Sequence, residues 1–222
     1  AITEVIACLS AGINVVAPGL YIYLDLTSTP EEALAPIEAA CEESGASLFV
    51  SGIDPGWALD ILPILASGVV SDIQEIRIQE IFNYGLYDQP EIVREVIGFG
   101  GSMDQLPRML EESSLKMVWE PMLRILSRAL DYPLDAIETF VERRPLSAPV
   151  DVPGMGHFET GTQGAFRFEV RGIRNGHTRL VVAIKRAGAL ATPVWLRAVG
   201  ARHSVVVVLR NARAAGPVAG MC

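Results

Sequence analysis

The sequence predicts an α/β chain in two parts: the C-terminal end of a parallel, doubly wound sheet, followed by an α+β domain with a mixed or antiparallel sheet. Three observations predict it. Residues 13–51 read as strand, helix, strand with short connections, as the last βαβ unit of a parallel sheet does. Apolar and charged residues then alternate over 75–81, the period of a half-exposed strand. Beyond Asp135 come extended segments at about 135–146, 149–158, 163–173 and 178–185, with the hairpin-turn pair Asn175-Gly176 between the last two. The parts meet near Gly52, giving 1–52 and 53–222, with an atypical tail over 186–222. A chain of 222 residues, half of them apolar, can bury a sizeable core and lies outside the disordered and low-complexity classes.

Each element has a local reason. Residues 3–10 are the end of an amphipathic helix, turned by Gly12 and Asn14 into the β-branched strand 13–16, which Ala17-Pro18-Gly19 ends. Thr29 is placed to cap the next helix, with Pro30 at its first position and Glu32 completing a capping box. That helix runs to about Glu43, stops at Gly45, and carries Leu34, Ile37 and Cys41 on one face. The strand 47–51 follows. Asp54 then reads as an N-cap and Pro55 as the first residue of a helix that is apolar nearly all round and so expected to be buried, with a kink at Pro63. Asp88-Gln89-Pro90-Glu91 caps a short helix ending at Gly98, residues 99–113 form a loop, and 115–130 is a helix striped by Leu115, Val118, Met122, Ile125 and Leu126.

The run 5–24 holds 20 uncharged residues, long enough to span a bilayer. Asn14, Pro18 and Gly19 interrupt it and its period changes midway, so it reads as helix, turn and buried strand, and no membrane partner is expected. The three cysteines, Cys8, Cys41 and Cys222, form no CxxC pair, and no signal peptide is present, so a reducing, cytoplasmic setting is expected. Charge is divided unevenly. Up to Glu169 there are 26 acidic and 9 basic residues, a net −17; the 53 residues after it hold 9 Lys or Arg and no acid, a net +9. The basic tail has no helical stripe and only Trp195 as an aromatic, and the acidic remainder would oppose a polyanion, so no nucleic-acid partner is expected. The chain starts at Ala1 inside a helix with no initiator Met and no cap, which reads as a piece of a longer protein.

Chemistry is sparse. There is no GxGxxG, P-loop or GxSxG, and Gly98-Phe99-Gly100-Gly101 and Gly154-Met155-Gly156 lack phosphate-loop spacing. His157-Phe158-Glu159 has the H-x-E order of zinc deaminases but no PCxxC follows, so the pair reads as outward-facing strand residues and no metal is expected. The turn 52–56 is either an anion site at a helix N-terminus or a plainly capped helix. Ile81-Phe82-Asn83-Tyr84 and Tyr87-Asp88 make a polar, aromatic cluster where a strand ends, suited to a substrate pocket, with the Asn83 amide and the Tyr84 and Tyr87 phenols, or to a satisfied hairpin end. Trp119 is either core or pocket wall.

GINVVAPG (12–19), TPEE with IEAACEESGASLFVSGIDPG (29–56), IQEIFNYGLYDQPEIVREVIGFG (78–100) and FETGTQGAFRFEVRG (158–172) resemble the dihydrodipicolinate-reductase-like oxidoreductases, most of all the group of 2,4-diaminopentanoate dehydrogenases and native amine dehydrogenases. The resemblance covers residues 1 to about 184. It implies the C-terminal remnant of an NAD- or NADP-dependent Rossmann domain, a substrate-binding and dimerisation domain, and a homodimer acting on a small-molecule amine, carbonyl or amino-acid-like substrate. By implication Ala17, Pro18 and Gly19 line the nicotinamide end of the cofactor site, with Asp54, Pro55 and Gly56 where the domains meet. Tyr87 or Tyr84 would donate to developing negative charge, Asn83 would orient the substrate, and Trp57, Tyr84 and Trp119 would face it. Three features depart from the family. The dinucleotide fingerprint would lie before Ala1, leaving a fragment expected to be inactive alone. The family's catalytic Glu after the NVV strand is absent, since residues 18–24 hold no carboxylate. The acidic stretch after the last hairpin strand is replaced by the basic tail, read as divergent or frame-shifted. The competing reading is a non-catalytic α+β dimerisation or ligand-binding module.

Overall fold

The computed structural model describes residues 2–83, Tyr87, 89–187 and 203–211. Two hydrophobic cores organise them. The smaller packs α1 (Ile2–Ser10) and α2 (Glu31–Ser44) on one face of a two-stranded parallel sheet, β1 (Val15–Ala17) and β2 (Leu48–Val50), around Leu9, Tyr23, Ile37, Ala40 and Ala46. The βαβ unit expected over 13–51 is present. Helix α2 begins differently from the expected capping box. Pro30 occupies the cap position, and the Thr29 hydroxyl donates backwards to the carbonyls of Ile22 (2.7 Å) and Asp25 (3.2 Å), tying down the short turns before the helix. Gly45 ends α2 in the left-handed conformation, as expected. The other face of the small sheet is bare: Val16 is 72% exposed and Phe49 62%.

The larger core sets α4 (Glu112–Ala129) across a five-stranded mixed sheet. The strands are β3 (Ile73–Asn83), β4 (Ala136–Pro145), β7 (Gln163–Arg174), β8 (His177–Ala187) and β9 (His203–Asn211), in the order β4-β7-β8-β3-β9. Strands β3 and β8 are parallel, and the other pairings are antiparallel. A small hairpin, β5 (Val150–Val152) and β6 (Gly156–Phe158), closes one end. Asn175 and Gly176 both take positive φ, 52° and 71°, and set Arg174 opposite His177, the two-residue turn expected between β7 and β8. The apolar stripe of α4 is buried through Leu115, Trp119, Met122, Leu123 and Leu126, while Lys116 and Arg124 pair with Glu112 and Glu120 on its wet side.

The sheet face away from α4 carries a charged network. Glu169 accepts from Arg77 (3.0 Å) and Arg171 (2.7 Å), and Phe140 lies under the guanidinium groups of Arg167 and Arg171 at 5.0 and 4.9 Å. Burial pushes the Glu169 carboxyl up, but the Arg171 bond and the charges of Arg77, Arg171 and Arg167 outweigh it, so it sits below the usual glutamate range.

The span after β2 corrects the sequence expectation. Residues Asp54, Pro55 and Gly56 are extended rather than helical, with a cis Asp54–Pro55 bond. The helix, α3 (Ile61–Ser67), begins later, where the buried Asp60 carboxylate accepts from the Ile61 N–H. Pro63 therefore falls in the first turn, where no intrahelical N–H is needed, and causes no mid-helix kink. The segment is not buried all round either: Leu59 is fully covered, whereas Trp57, Ile61 and Leu65 face outward. In β3 the expected alternation holds for Ile76 and Ile78, but Glu80 shares their buried side, at 2% exposure.

Candidate functional site

Strands β1 and β2 run parallel, so both deliver the chain to the same edge. Open α/β sheets bind ligands beyond the carboxyl ends of their strands. There a cleft of about 390 Å³ lies between the two cores. One wall is Pro18 and Gly19 after β1, Tyr21 in the next turn, and 52–55 after β2; the other is Glu80 and Phe82 from β3 with Tyr87 and Ile97.

The loop after β2 is held by its own geometry and by α4. The Trp57 N–H donates to the Gly52 carbonyl at 2.7 Å. Gly56 has φ 133°, and a Cβ on Gly52 would stand 2.7 Å from the Pro55 carbonyl oxygen, so both positions need glycine. The Trp119 indole N–H donates to Asp54 Oδ1 at 2.7 Å, while its ring packs on Phe168 with centroids 4.5 Å apart. Neither alternative for the turn 52–56 therefore applies. No helix starts there, and what reaches the cleft is a carboxylate, which repels an anion.

Tyr21 has its phenol pushed up, first by burial and then by the nearby Asp54 and Tyr87, so it stays protonated and able to donate. The Tyr87 ring meets Phe82 edge-on at 5.5 Å. A second polar tie joins the units below the cleft. Asp25, 2% exposed, accepts from Arg128 on α4 (2.6 and 3.1 Å) and from the hydroxyls of Thr27 and Ser28. Burial raises its carboxyl, but these bonds prevail and hold it below the usual aspartate range.

Of the residues expected at the site, Pro18, Gly19, Asp54, Pro55 and Tyr87 come together around the cleft. Ala17 ends β1 one residue behind it, Gly56 is buried at the turn of the loop, and Asn83 ends β3 beside Phe82. Trp119 stands behind Asp54 as part of the large core, touching the cleft through that hydrogen bond. Trp57 points outward at 46% exposure, and Tyr84 lies outside the described residues. Phe82, part of the cluster expected where β3 ends, lines the cleft as well, whereas Tyr21, Glu80 and Ile97 were not anticipated. Glu80 alone carried a signal: it stands at the same period-two positions as Ile76 and Ile78. His157 is exposed on β6 and bonded to Asp151 at 2.9 Å, as an outward strand residue; the Asp151 bond pushes its imidazole up. Among the described residues, no group of three or more His, Cys, Asp or Glu is placed to hold a metal ion, and no helix is long and apolar enough to cross a membrane.

No family model matches the chain. An amine dehydrogenase of Streptomyces virginiae is 44% identical over 196 residues, which are 88% of this chain and 54% of the relative. The chain thus spans about half the length of the curated relative it matches. The solved amine dehydrogenase of Mycobacterium smegmatis superposes with a TM-score of 0.68 at 17% identity, over 94% of this chain and 59% of that one. A biliverdin reductase from Synechocystis, solved with biliverdin and NADP+, gives a TM-score of 0.42 at 15% identity, over 86% of this chain and 50% of that one. Over most of its length this chain is therefore homologous to a protein named amine dehydrogenase, the group its sequence resembles, and it has the fold of the matched 59% of the Mycobacterium smegmatis enzyme.

Proposed function

We propose that this chain is the substrate-side portion of an NAD- or NADP-dependent oxidoreductase that moves a hydride between the nicotinamide and a C=N or C=O carbon of a small amine, carbonyl or amino-acid-like compound. The observation that carries this reading is the composition of the cleft. Phenols and carboxylates meet apolar walls beyond the carboxyl ends of two parallel strands. Homology to an amine dehydrogenase favours the amine over the other substrates. The same reading includes a homodimer.

Pro18 and Gly19 fit the nicotinamide end of the cofactor, since both are exposed and a Cβ on Gly19 would have nothing within 4 Å. When bound, the nicotinamide supplies the hydride chemistry, and the chain supplies position and electrostatics. Tyr87, and Tyr21 held as a phenol, donate hydrogen bonds to the oxygen of a carbonyl, where negative charge develops, and accept from the N–H of an amine, while Asn83 orients the substrate. The bare Val16 and Phe49 face is the surface that helices of a larger doubly wound sheet would cover.

The test joins this chain to the part of the Streptomyces virginiae relative that it does not match. The fusion should form reduced nicotinamide from NAD+ or NADP+ only when an aliphatic amine is added. Tyr87→Phe should lower kcat about 10²-fold. A folded fusion that binds the cofactor and turns over neither amines nor carbonyls would overturn the reading.

A further inference from the structure

We propose that Asp54 is the residue that receives the ammonium group of an alkylamine in this cleft, and that Trp119 is the positioning residue that fixes its carboxylate. The inference rests on the oxidoreductase reading and goes beyond it by naming which side chain reads the substrate's charge.

The loop after β2 has no regular structure to hold it. Asp54 is extended, in a segment closed by the Trp57 to Gly52 bond, and a short side chain on such a loop samples several rotamers. Its Oδ1 is instead fixed by the Trp119 N–H at 2.7 Å. Trp119 cannot swing, because it is 6% exposed, rooted in α4, and packed on Phe168. A buried indole needs some acceptor for its N–H, but a backbone carbonyl of its own core would serve. The structure takes a carboxylate from the other wall of the cleft. A carboxylate has about four lone-pair sites, so one indole bond does not exhaust its capacity to accept.

The surroundings suit a cation. Among the described residues that line the cleft are two carboxylates, Asp54 and Glu80, and no Lys, Arg or His. A low-dielectric cleft lined by one sign of charge concentrates the opposite sign. The effect of Asp54 already reaches the Tyr21 phenol. Pro55, Phe82 and Ile97 offer apolar wall to an alkyl chain, and about 390 Å³ suits a small molecule. An ammonium with a short alkyl tail matches both features. A free carboxylate does not.

The assignment is tested by titrating this chain with n-butylammonium, n-butanol and butyrate, following the cleft by NMR. Butylammonium should bind more tightly than the other two. Asp54→Asn keeps an oxygen for Trp119, so the loop should hold while butylammonium affinity falls about tenfold or more and butanol affinity stays. Trp119→Phe should weaken butylammonium several-fold and leave butanol unchanged; a merely structural loss would weaken both. If butylammonium binds the unaltered chain best and Asp54→Asn keeps its affinity within about twofold, the assignment to Asp54 is overturned while the amine reading stands. A drop confined to Glu80→Gln overturns it in the same way, in favour of the other carboxylate. If butyrate binds the unaltered chain better than butylammonium, the amine reading itself fails.

Discussion

Asp25 joins the two units by an ion pair, and the pair has a pH signature. Its carboxylate is almost wholly covered and takes bonds from Arg128, Thr27 and Ser28. These hold the folded-state carboxyl below the ordinary aspartate range despite burial. A depressed folded value means that the unfolded chain binds the proton more readily, so Asp25 adds stability above the ordinary aspartate range. That contribution is lost as pH falls through this range and past the folded value. Glu169 acts with the same sign from the far side of the sheet. Thermal melts should show Asp25→Asn lowering Tm at neutral pH and flattening its decline in acid. Arg128→Ala should cost about 2 kcal/mol at neutral pH. That lies below the usual cost of breaking a buried pair, because Arg128 is 48% exposed and part of its attraction is screened by water. An Asp25→Asn melt that tracks the parent at every pH would contradict this account. The pair itself was not legible in the sequence, since its partners lie 103 positions apart and each reads locally as a surface charge.

Among the elements, those whose shape is decided by neighbours in sequence were legible, and those decided from a distance were not. The β7–β8 turn follows from Asn175-Gly176 alone, because that pair accepts the two positive φ values the turn needs. The loop after β2 misled because Asp-Pro before apolar residues is what a helix start looks like. What settles it is Trp119, 65 positions away, which takes the Asp54 carboxylate that a cap would use. The Gly98–Gly101 segment is a third case: its spacing excludes a phosphate loop, and its role is packing. Gly98 and Gly100 both have φ 77°, and the segment is fastened to β7 by the Gly100 N–H to Gln163 carbonyl and Gln163 N–H to Gly101 carbonyl bonds, both 2.8 Å. A Cβ on Gly100 would stand 2.2 Å from the Phe158 ring. Gly154 shares the φ of 77° with nothing within 4 Å, and so isolates the backbone term. Gly154→Ala should cost about 1 kcal/mol, and Gly100→Ala about 3 kcal/mol, because the ring must also move. Denaturant midpoints compare them directly. Equal costs would show that Phe158 yields freely.

At the scale of the molecule, the split between an acid-rich body and a carboxylate-free tail becomes a structural feature. Arg171 pairs with Glu169, and Arg179 donates to Gln74, so part of the tail's positive charge is spent inside the sheet. Residues 188–202 and 212–222, which hold much of the unfamiliar sequence, lie outside the described residues. Between them β9 pairs antiparallel with β3 along most of its length, from Phe82↔His203 to Ile73↔Asn211. The sequence run 204–209, SVVVVL, has the β-branched composition of a strand. Its place did not show, because no local pattern says which edge, more than a hundred residues earlier, a strand will join. That edge matters. Without β9, β3 would present its unpaired N–H and C=O groups to solvent, and Val207 and Leu209 would no longer pack on the large core. Losing two half-buried apolar side chains and a row of ladder hydrogen bonds should cost about 3 kcal/mol or more. A chain ended after residue 202 should therefore melt lower than the full chain and self-associate through the bare β3 edge. Calorimetry and size-exclusion chromatography with light scattering would read both effects. A shortened chain with unchanged Tm and unchanged mass per particle would mean that β9 contributes nothing to the sheet. If it melts lower, the basic tail belongs to the fold, whatever the origin of its sequence.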